Sequence, residues 1–285
     1  MGRRRAVSVN SMSESNRRAP YLKENLWGYG KRLRFVDAAI ELAFPTRERC
    51  DLTILDVGCG NGSQLAIPLA AVGYQVTGVD PHLPSIERAR NLAPAINFIH
   101  GPLSELTLRS FDCVVISEVL EHLDTPELLL AMALPYLAES GILIITVPNG
   151  YGEFELDLRL YRALRADKMI SWLYRVCRRN TGREYIASSE DETPHVQRFT
   201  LSRLRKMFDR NHLLLLQARG TSIASGPFVL HLLGRFDAFV RLNASIADHF
   251  HLALASGWMF VLRKDLREPQ GALQIHYAPS ELRSG

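Results

Sequence analysis

The nine residues ILDVGCGNG, at positions 54–62, narrow the choice of fold more than any other part of the chain. An apolar run of strand length breaks into three alternating glycines, Gly58, Gly60 and Gly62, and a helical pattern then continues through Ala71. Glycine tolerates the left-handed φ values of a tight strand-to-helix turn and lets a ligand approach the backbone with no Cβ in the way. A second run, VTGVD, closes on Asp80, roughly 20 residues beyond the turn, where a carboxylate can accept hydrogen bonds from two ribose hydroxyls. A structural turn is the plain alternative for the glycines alone. Turn, spaced acid and strand–helix context together point to a nucleoside-binding crevice.

Strand and helix signals keep alternating beyond this unit, as in a wound α/β core. Strands are expected over 52–57, 75–79, 96–100, 112–117 and 142–147, and again over 213–218 and 258–262. Their apolar and β-branched runs lack polar alternation, which predicts a parallel sheet covered on both faces. Helical spacing runs from Tyr21 to Ala43 and over 85–91, 125–137, 200–210 and 226–250. The first twenty residues are polar and without periodicity, and read as a tail. They lack the apolar core of a secretory signal, and Glu14 with no amphipathic stripe argues against a mitochondrial presequence. The residues after Lys264 read as irregular, so one domain is expected over 21–264.

Composition sets the outer limits. The chain has 285 residues, 47% of them hydrophobic, enough for a sizeable core. No run approaches the roughly 18 apolar residues of a membrane span. A net charge of +4 does not indicate a nucleic-acid binder. Cys50, Cys59, Cys113 and Cys177 show no C-x-x-C spacing, and a reducing, cytoplasmic setting is the simplest reading.

The ligand class follows from what the turn lacks. A dinucleotide site wants G-x-G-x-x-G, whereas the sixth position here is Ser63; no Lys-Ser/Thr pair follows for a P-loop. The segments LDVGCGNG, VTGVD, FDCVVISEVLEHLDTPELLL and LAESGILIITVPN instead resemble the signature segments of class I S-adenosylmethionine-dependent methyltransferases. The resemblance is close over about residues 30–150 and loose from HVQRFTLSRLRKMF onward. Within that class the chain is most similar to the branch containing the ubiquinone-biosynthesis O-methyltransferases.

That resemblance implies a Rossmann-like, seven-stranded, mostly parallel sheet with its last strand antiparallel, helices on both faces and an inserted helical cap over 151–195 and 222–250. It implies S-adenosyl-L-methionine as cofactor. Gly58, Gly60 and Gly62 would pack on its methionine part, Asp56 would support the amino group, and Asp80 would bind the ribose hydroxyls. Ser117 would lie beside the methionine moiety, Arg34 would reach its carboxylate, and the segment GPLSEL would flank adenine. The implied activity is methyl transfer to a small-molecule or lipid- or glycan-linked acceptor, at oxygen. A nicotinamide-dependent oxidoreductase and a non-catalytic partner subunit of the same fold stay as alternatives.

Glu118, Glu121 and His122 form E-x-x-E-H after the fourth strand. On a helix these positions share a face, and two carboxylates with an imidazole would suit Mg²⁺ or a similar cation. A similar motif holds a metal near the acceptor hydroxyl in ubiquinone-type O-methyltransferases and small-RNA 3′-end methyltransferases. The alternative is that Glu and His only shape the pocket. His122 and His195 are the candidate bases for deprotonating an acceptor, His195 being otherwise a fourth ligand or a capping residue.

Two stretches outside the core carry further signals. Residues 155–179 mix Arg159, Arg162, Arg165, Lys168 and Arg175 with apolar and aromatic residues. This reads either as a solvated face over a lid or as a surface for an anionic acceptor or a peripheral membrane contact. The stripe Val229, Leu232, Leu233, Phe236, Phe239, Val240, Ile246 and Phe250 reads as lid packing or as the lining of a lipophilic pocket. Neither shows a nucleic-acid motif.

Overall fold

The computed structural model describes residues 24–107, 109–165 and 196–266. Seven strands make one sheet: β1 (Thr53–Val57), β2 (Gln75–Asp80), β3 (Asn97–His100), β4 (Phe111–Ser117), β5 (Leu137–Pro148), β6 (Leu213–Gly220) and β7 (Gly257–Lys264). Their order is β3-β2-β1-β4-β5-β7-β6. The pairings from β3 to β5 are parallel, and β7 runs antiparallel to both β5 and β6. All seven expected strands are present, with the antiparallel strand where the resemblance put it.

Unbroken apolar runs form the inner strands because both of their faces are buried, whereas the edge strands β3 and β6 are partly exposed. Ile54, Cys113, Val115, Ile144 and Met259 point to one side, against Leu33, Val36 and Ile40 of α1 (Tyr29–Ala43), Leu69 of α2 (Ala66–Ala71) and Ile86 of α3 (Leu83–Leu92). Leu55, Val114, Ile116, Ile145 and Phe260 point to the other, against Leu130 of α4 (Pro126–Ala133) and, across an insertion, Leu204 and Phe208 of a later helix (Leu201–Arg210). Each fully buried aliphatic side chain contributes about 1.5–3 kcal/mol, so the two faces hold the three layers together. The inserted helix α5 (Glu153–Ala163) follows β5; Leu201–Arg210 is α6, and α7 (Pro227–Leu232) and α8 (Asp237–Ile246) lie between β6 and β7. Strand order reverses between β1 and β4, which puts the ligand crevice outside the carboxyl ends of these two strands.

Several element boundaries differ from expectation. Helix α1 begins only at Tyr29, because Asn25 Oδ1 accepts the Trp27 and Tyr29 amides at 3.1 Å each and Gly28 takes a left-handed φ of 74°. The helix expected over 125–137 ends at Ala133 and gives way to a 3-10 turn, Leu134–Tyr136. Leu137 already pairs with Phe111, so β5 starts five residues early and Gly141 lies within it rather than before it. A Cβ at Gly141 would meet the Asp112 carbonyl at 2.9 Å, which is why glycine stands at this shift of register. The single helix expected over 226–250 is two, α7 and α8, divided around Gly234, whose amide bonds back to Val229 O at 3.0 Å. The apolar stripe is therefore split. Val240 is buried, whereas Leu232, Leu233, Phe236 and Phe250 are exposed. Residues 1–20, nearly all of 265–285, and 166–195 with Lys168 and Arg175 lie outside the described residues.

Candidate functional site

The glycine turn after β1 takes left-handed φ values at Gly58 (72°), Gly60 (53°) and Gly62 (72°). The structure divides the three. A Cβ at Gly58 would collide with Val119, and one at Gly62 would lie 2.7 Å from Phe98 Cζ, so these two serve packing within the protein. A Cβ at Gly60 would meet nothing within 4 Å. Gly60 is where the turn presents bare backbone to open space, as close approach of a ligand requires.

Asp80, ending β2, faces that turn. Its Oδ2 accepts the Gly60 amide and its Oδ1 the His82 amide, each at 2.8 Å, so two backbone donors orient the carboxylate while each oxygen keeps a free lone pair. Asp56 lies in β1, directly before the turn, 3% exposed. Burial lifts its carboxyl to about 7, opposed by the Ala66 amide and reinforced by Asp80. Burial likewise pushes the Cys59 thiol up, so this cysteine stays protonated and no thiolate nucleophile stands in the turn.

The third wall comes from α1. Arg34 does not reach the crevice: it pairs with Glu24, and its side chain is 46% exposed. Two helical positions turn the side chain by about 200°, and Arg32 is the arginine that points inward. Arg32 is 3% exposed. Its Nη1 donates to Gln64 Oε1 at 3.4 Å, its Nη2 lies 3.3 Å from Glu118 Oε1, and its guanidinium stands 5.2 Å from the Tyr29 ring centre. Arg32 Nε is buried without a partner among the described residues. Sequence reasoning missed Arg32, although it lies on the helix stripe of Val36 and Ile40, at i, i+4 and i+8. A cation on a core stripe was the available signal.

From Arg32 a polar chain crosses the ends of β4 and β5. Thr146 Oγ1 donates to Glu118 Oε1 at 2.7 Å, and Ser117 Oγ lies 2.8 Å from Thr146 Oγ1. Ser117, at the end of β4, thus joins this polar chain, and Gln64 and Thr146 are polar members that no sequence motif marked.

The E-x-x-E-H segment is not helical. Glu118 takes φ 55° and its amide donates to Thr146 O at 2.9 Å; a 3-10 turn, Leu120–His122, follows. The helical spacing that would bring Glu118, Glu121 and His122 to one point does not apply. Glu118 turns to Arg32 and Thr146. Glu121 turns inward, 1% exposed, with Oε2 unpartnered among the described residues. Burial first, and the Glu118 charge second, hold its carboxyl well above the usual range. His122 Nε2 lies 3.9 Å from Glu121 Oε1 at the edge of the crevice. Among the described residues no group of three or more His, Cys, Asp or Glu side chains is placed to hold a metal ion. The residues present do not fit the expected Mg²⁺: Glu118 is matched to a guanidinium, and Glu121 is buried with its carboxyl raised well above the usual range. His195 lies outside the described residues; its neighbour Val196 donates its amide to Glu121 O at 2.9 Å.

Fold and crevice together define a wound α/β protein with a glycine turn, an oriented carboxylate at the end of β2 and a buried arginine. A family profile described as a methyltransferase domain matches residues 28–218, and the chain belongs to that family. The chain is similar to two proteins named ubiquinone biosynthesis O-methyltransferase. That of Rickettsia canadensis (strain McKiel) is 36% identical over 103 residues, 34% of this chain and 43% of the relative. The mitochondrial one of Schizosaccharomyces pombe (strain 972 / ATCC 24843) is 34% identical over 158 residues, 50% of this chain and 57% of the relative. The chain thus spans about half the length of the curated relatives it matches. The plantazolicin methyltransferase BpumL, solved in complex with SAH, superposes with a TM-score of 0.52 at 18% identity, over 84% of this chain and 85% of that one, a likeness of fold. Membership in a methyltransferase family leaves the nicotinamide alternative without support.

Proposed function

We propose that the chain transfers the methyl group of S-adenosyl-L-methionine to an oxygen of a small-molecule acceptor. The observation that carries the reading is the open backbone at Gly60, set between the oriented Asp80 carboxylate and the inward-facing Arg32 at the switch point of the sheet. The cofactor, when bound, supplies an electrophilic methyl on a sulfonium. Asp80 would accept the ribose hydroxyls with its free lone pairs. Arg32 would hold the carboxylate of the methionine part with its unpartnered Nε–H, and Asp56 would accept from the amino group. Arg34 has no place in this set.

On the acceptor side, His122 stands at the crevice edge and would take the hydroxyl proton, with His195 as the second candidate. Most of the rate would come from aligning acceptor oxygen and methyl group, which needs rigid walls rather than a strong nucleophile. The Arg32–Glu118–Thr146–Ser117 chain supplies one such wall.

A lipid-linked acceptor and contact with a membrane surface are the finer reading. They are supported by exposed Leu160, Leu164, Leu232, Phe236 and Phe250 on the cap helices and their ends, with Arg159 and Arg241 among them, and by the names of the ubiquinone-biosynthesis relatives. No helix among the described residues is long and apolar enough to cross a membrane.

Calorimetric titration of the full chain with S-adenosylmethionine, its demethylated product and NADH tests the cofactor. Saturable binding of the first two and none of NADH is expected. Gly60→Val should abolish this binding at a backbone cost of about 1–3 kcal/mol, the price of left-handed φ at a branched residue. NADH binding without S-adenosylmethionine affinity would overturn the assignment. Cofactor binding with no transfer of labelled methyl to phenolic or lipid-linked acceptors would favour the non-catalytic partner.

A further inference from the structure

We infer that the groove between the start of α4 and the polar flank of α6 is a binding site for a phosphoryl group. It lies outside the crevice described above and is lined by Glu127, Thr200, Ser202, Arg203, Lys206 and Arg210 around Met207, with a volume of about 320 Å³. That is the lower end of the range for small-ligand sites.

The chemistry of the lining selects the ligand. Arg203, Lys206 and Arg210 follow one another at i, i+3 and i+7, so they form one stripe on α6, turned away from buried Leu204 and Phe208. Three cations converge on the groove against a single carboxylate, Glu127. Arg203 is fixed in place: its guanidinium stacks 5.0 Å from the Phe199 ring centre, donates to Gln197 Oε1 at 2.8 Å and lies 3.7 Å from Glu127. Lys206 and Arg210 have no ion-pair partner among the described residues. The groove therefore offers two uncommitted cations, one pre-oriented guanidinium and the hydroxyls of Thr200 and Ser202. Arginine's planar fork and lysine's compact charge suit the oxygens of a phosphate. A neutral or cationic ligand would leave the excess positive charge of the groove unanswered.

The groove communicates with the candidate active site through one short strap. Gln197, which receives Arg203, donates its side chain to Asp124 O at 3.1 Å and its backbone amide to Glu121 O at 2.9 Å. An anion that engages Arg203 therefore acts two bonds away from the loop carrying Glu121 and His122, and the Gln197 amide reports on it.

The probe is inorganic pyrophosphate, titrated into the full chain at fixed ionic strength and followed by calorimetry and by the amide resonances of Gln197, Ser202, Arg203 and Lys206. Saturable one-to-one binding that shifts these resonances is expected, and the double variant Lys206→Gln/Arg210→Gln should lose at least tenfold in affinity. Both positions are exposed and outside the crevice, so cofactor binding should be unchanged and serves as the folding control. Cosedimentation with phosphatidylglycerol vesicles separates the sources. Pyrophosphate binding without vesicle binding identifies a free phosphate ester; vesicle binding that pyrophosphate competes away, and that the variant loses, identifies a lipid headgroup. Absence of saturable binding of either probe, or equal binding by the variant, would overturn the inference. The measurement needs no methyl transfer, so it stands or falls separately from the assignment of activity.

Discussion

Asp56 shows how a single side chain trades stability for chemistry. It is enclosed at the end of β1 with its carboxyl lifted from 3.8 to about 7 by burial. The folded protein binds this proton more tightly than the unfolded chain does, so the stabilising contribution is complete below pH ~4 and is lost as pH rises through 7. Replacement by Asn keeps an acceptor for the Ala66 amide and removes the buried charge. Asp56→Asn should match the wild type near pH 4 and exceed it by on the order of 4 kcal/mol at pH 8, read from thermal melts across that range. The same variant should bind S-adenosylmethionine more weakly. A stability difference independent of pH would show that Asp56 is not carrying a buried charge. Glu118 is a second strained residue: a left-handed φ costs a non-glycine residue on the order of 1–2 kcal/mol, offset here by its amide bond to Thr146 and its pairing with Arg32.

Among the secondary-structure elements, the contact between α5 and α7 joins two parts of the cap that are far apart in sequence. Glu153 Oε2 accepts the Ser225 amide at 2.8 Å, Asp157 Oδ2 accepts the Phe228 amide at 2.9 Å, and Tyr161 packs edge-on against Phe228 with ring centres 5.2 Å apart. Positions 153, 157 and 161 repeat every fourth residue, so one stripe of α5 caps and covers the first turn of α7. Burial raises the Glu153 carboxyl above its ordinary value, whereas two backbone donors hold it down. Asp157→Ala should cost about 1 kcal/mol, the usual worth of a helix cap, and confine its effect to the cap. Hydrogen exchange at residues 225–232 should accelerate about fivefold with the melting of the sheet unchanged. Unaltered exchange there would mean that α7 is held by other contacts.

For the molecule as a whole, β7 is decisive. Among the described residues it supplies the only sheet partner of β6 and the outer partner of β5, and Trp258 within it is 2% exposed with its indole N–H on Leu252 O at 2.7 Å. A chain ending at Ser256 would leave β6 unpaired and uncover the inner residues of β5. Such a chain should lose its cooperative thermal transition and its cofactor binding together, as followed by circular dichroism and calorimetry. A truncated chain that still melts cooperatively would place the folding unit in β1–β5 alone. Long-range pairing of this kind explains why boundaries were harder to read than elements. The inner strands β1, β4, β5 and β7 were legible because burial on both faces leaves an uninterrupted apolar run, and the edge strands β3 and β6 because short apolar runs mark them although part of each is exposed. The start of β5 at Leu137 was not, because it depends on pairing with Phe111, and Gly141 looked like a helix stop when it is the place where the Asp112 carbonyl comes close.

The residue sequence by itself determined the wound α/β class, the positions of the seven strands, the glycine turn and the acid at Asp80. These depend on periodicity and on backbone freedom, which are local properties. Only the tertiary structure decided that Gly60 rather than Gly58 or Gly62 faces the open crevice, that Arg32 rather than Arg34 is buried beside it, and that Glu118 pairs with Arg32 and Thr146. Each of these depends on which atoms of distant segments occupy the neighbouring space: Val119 and Phe98 behind the turn, Glu24 beside Arg34, and Thr146 beneath Glu118.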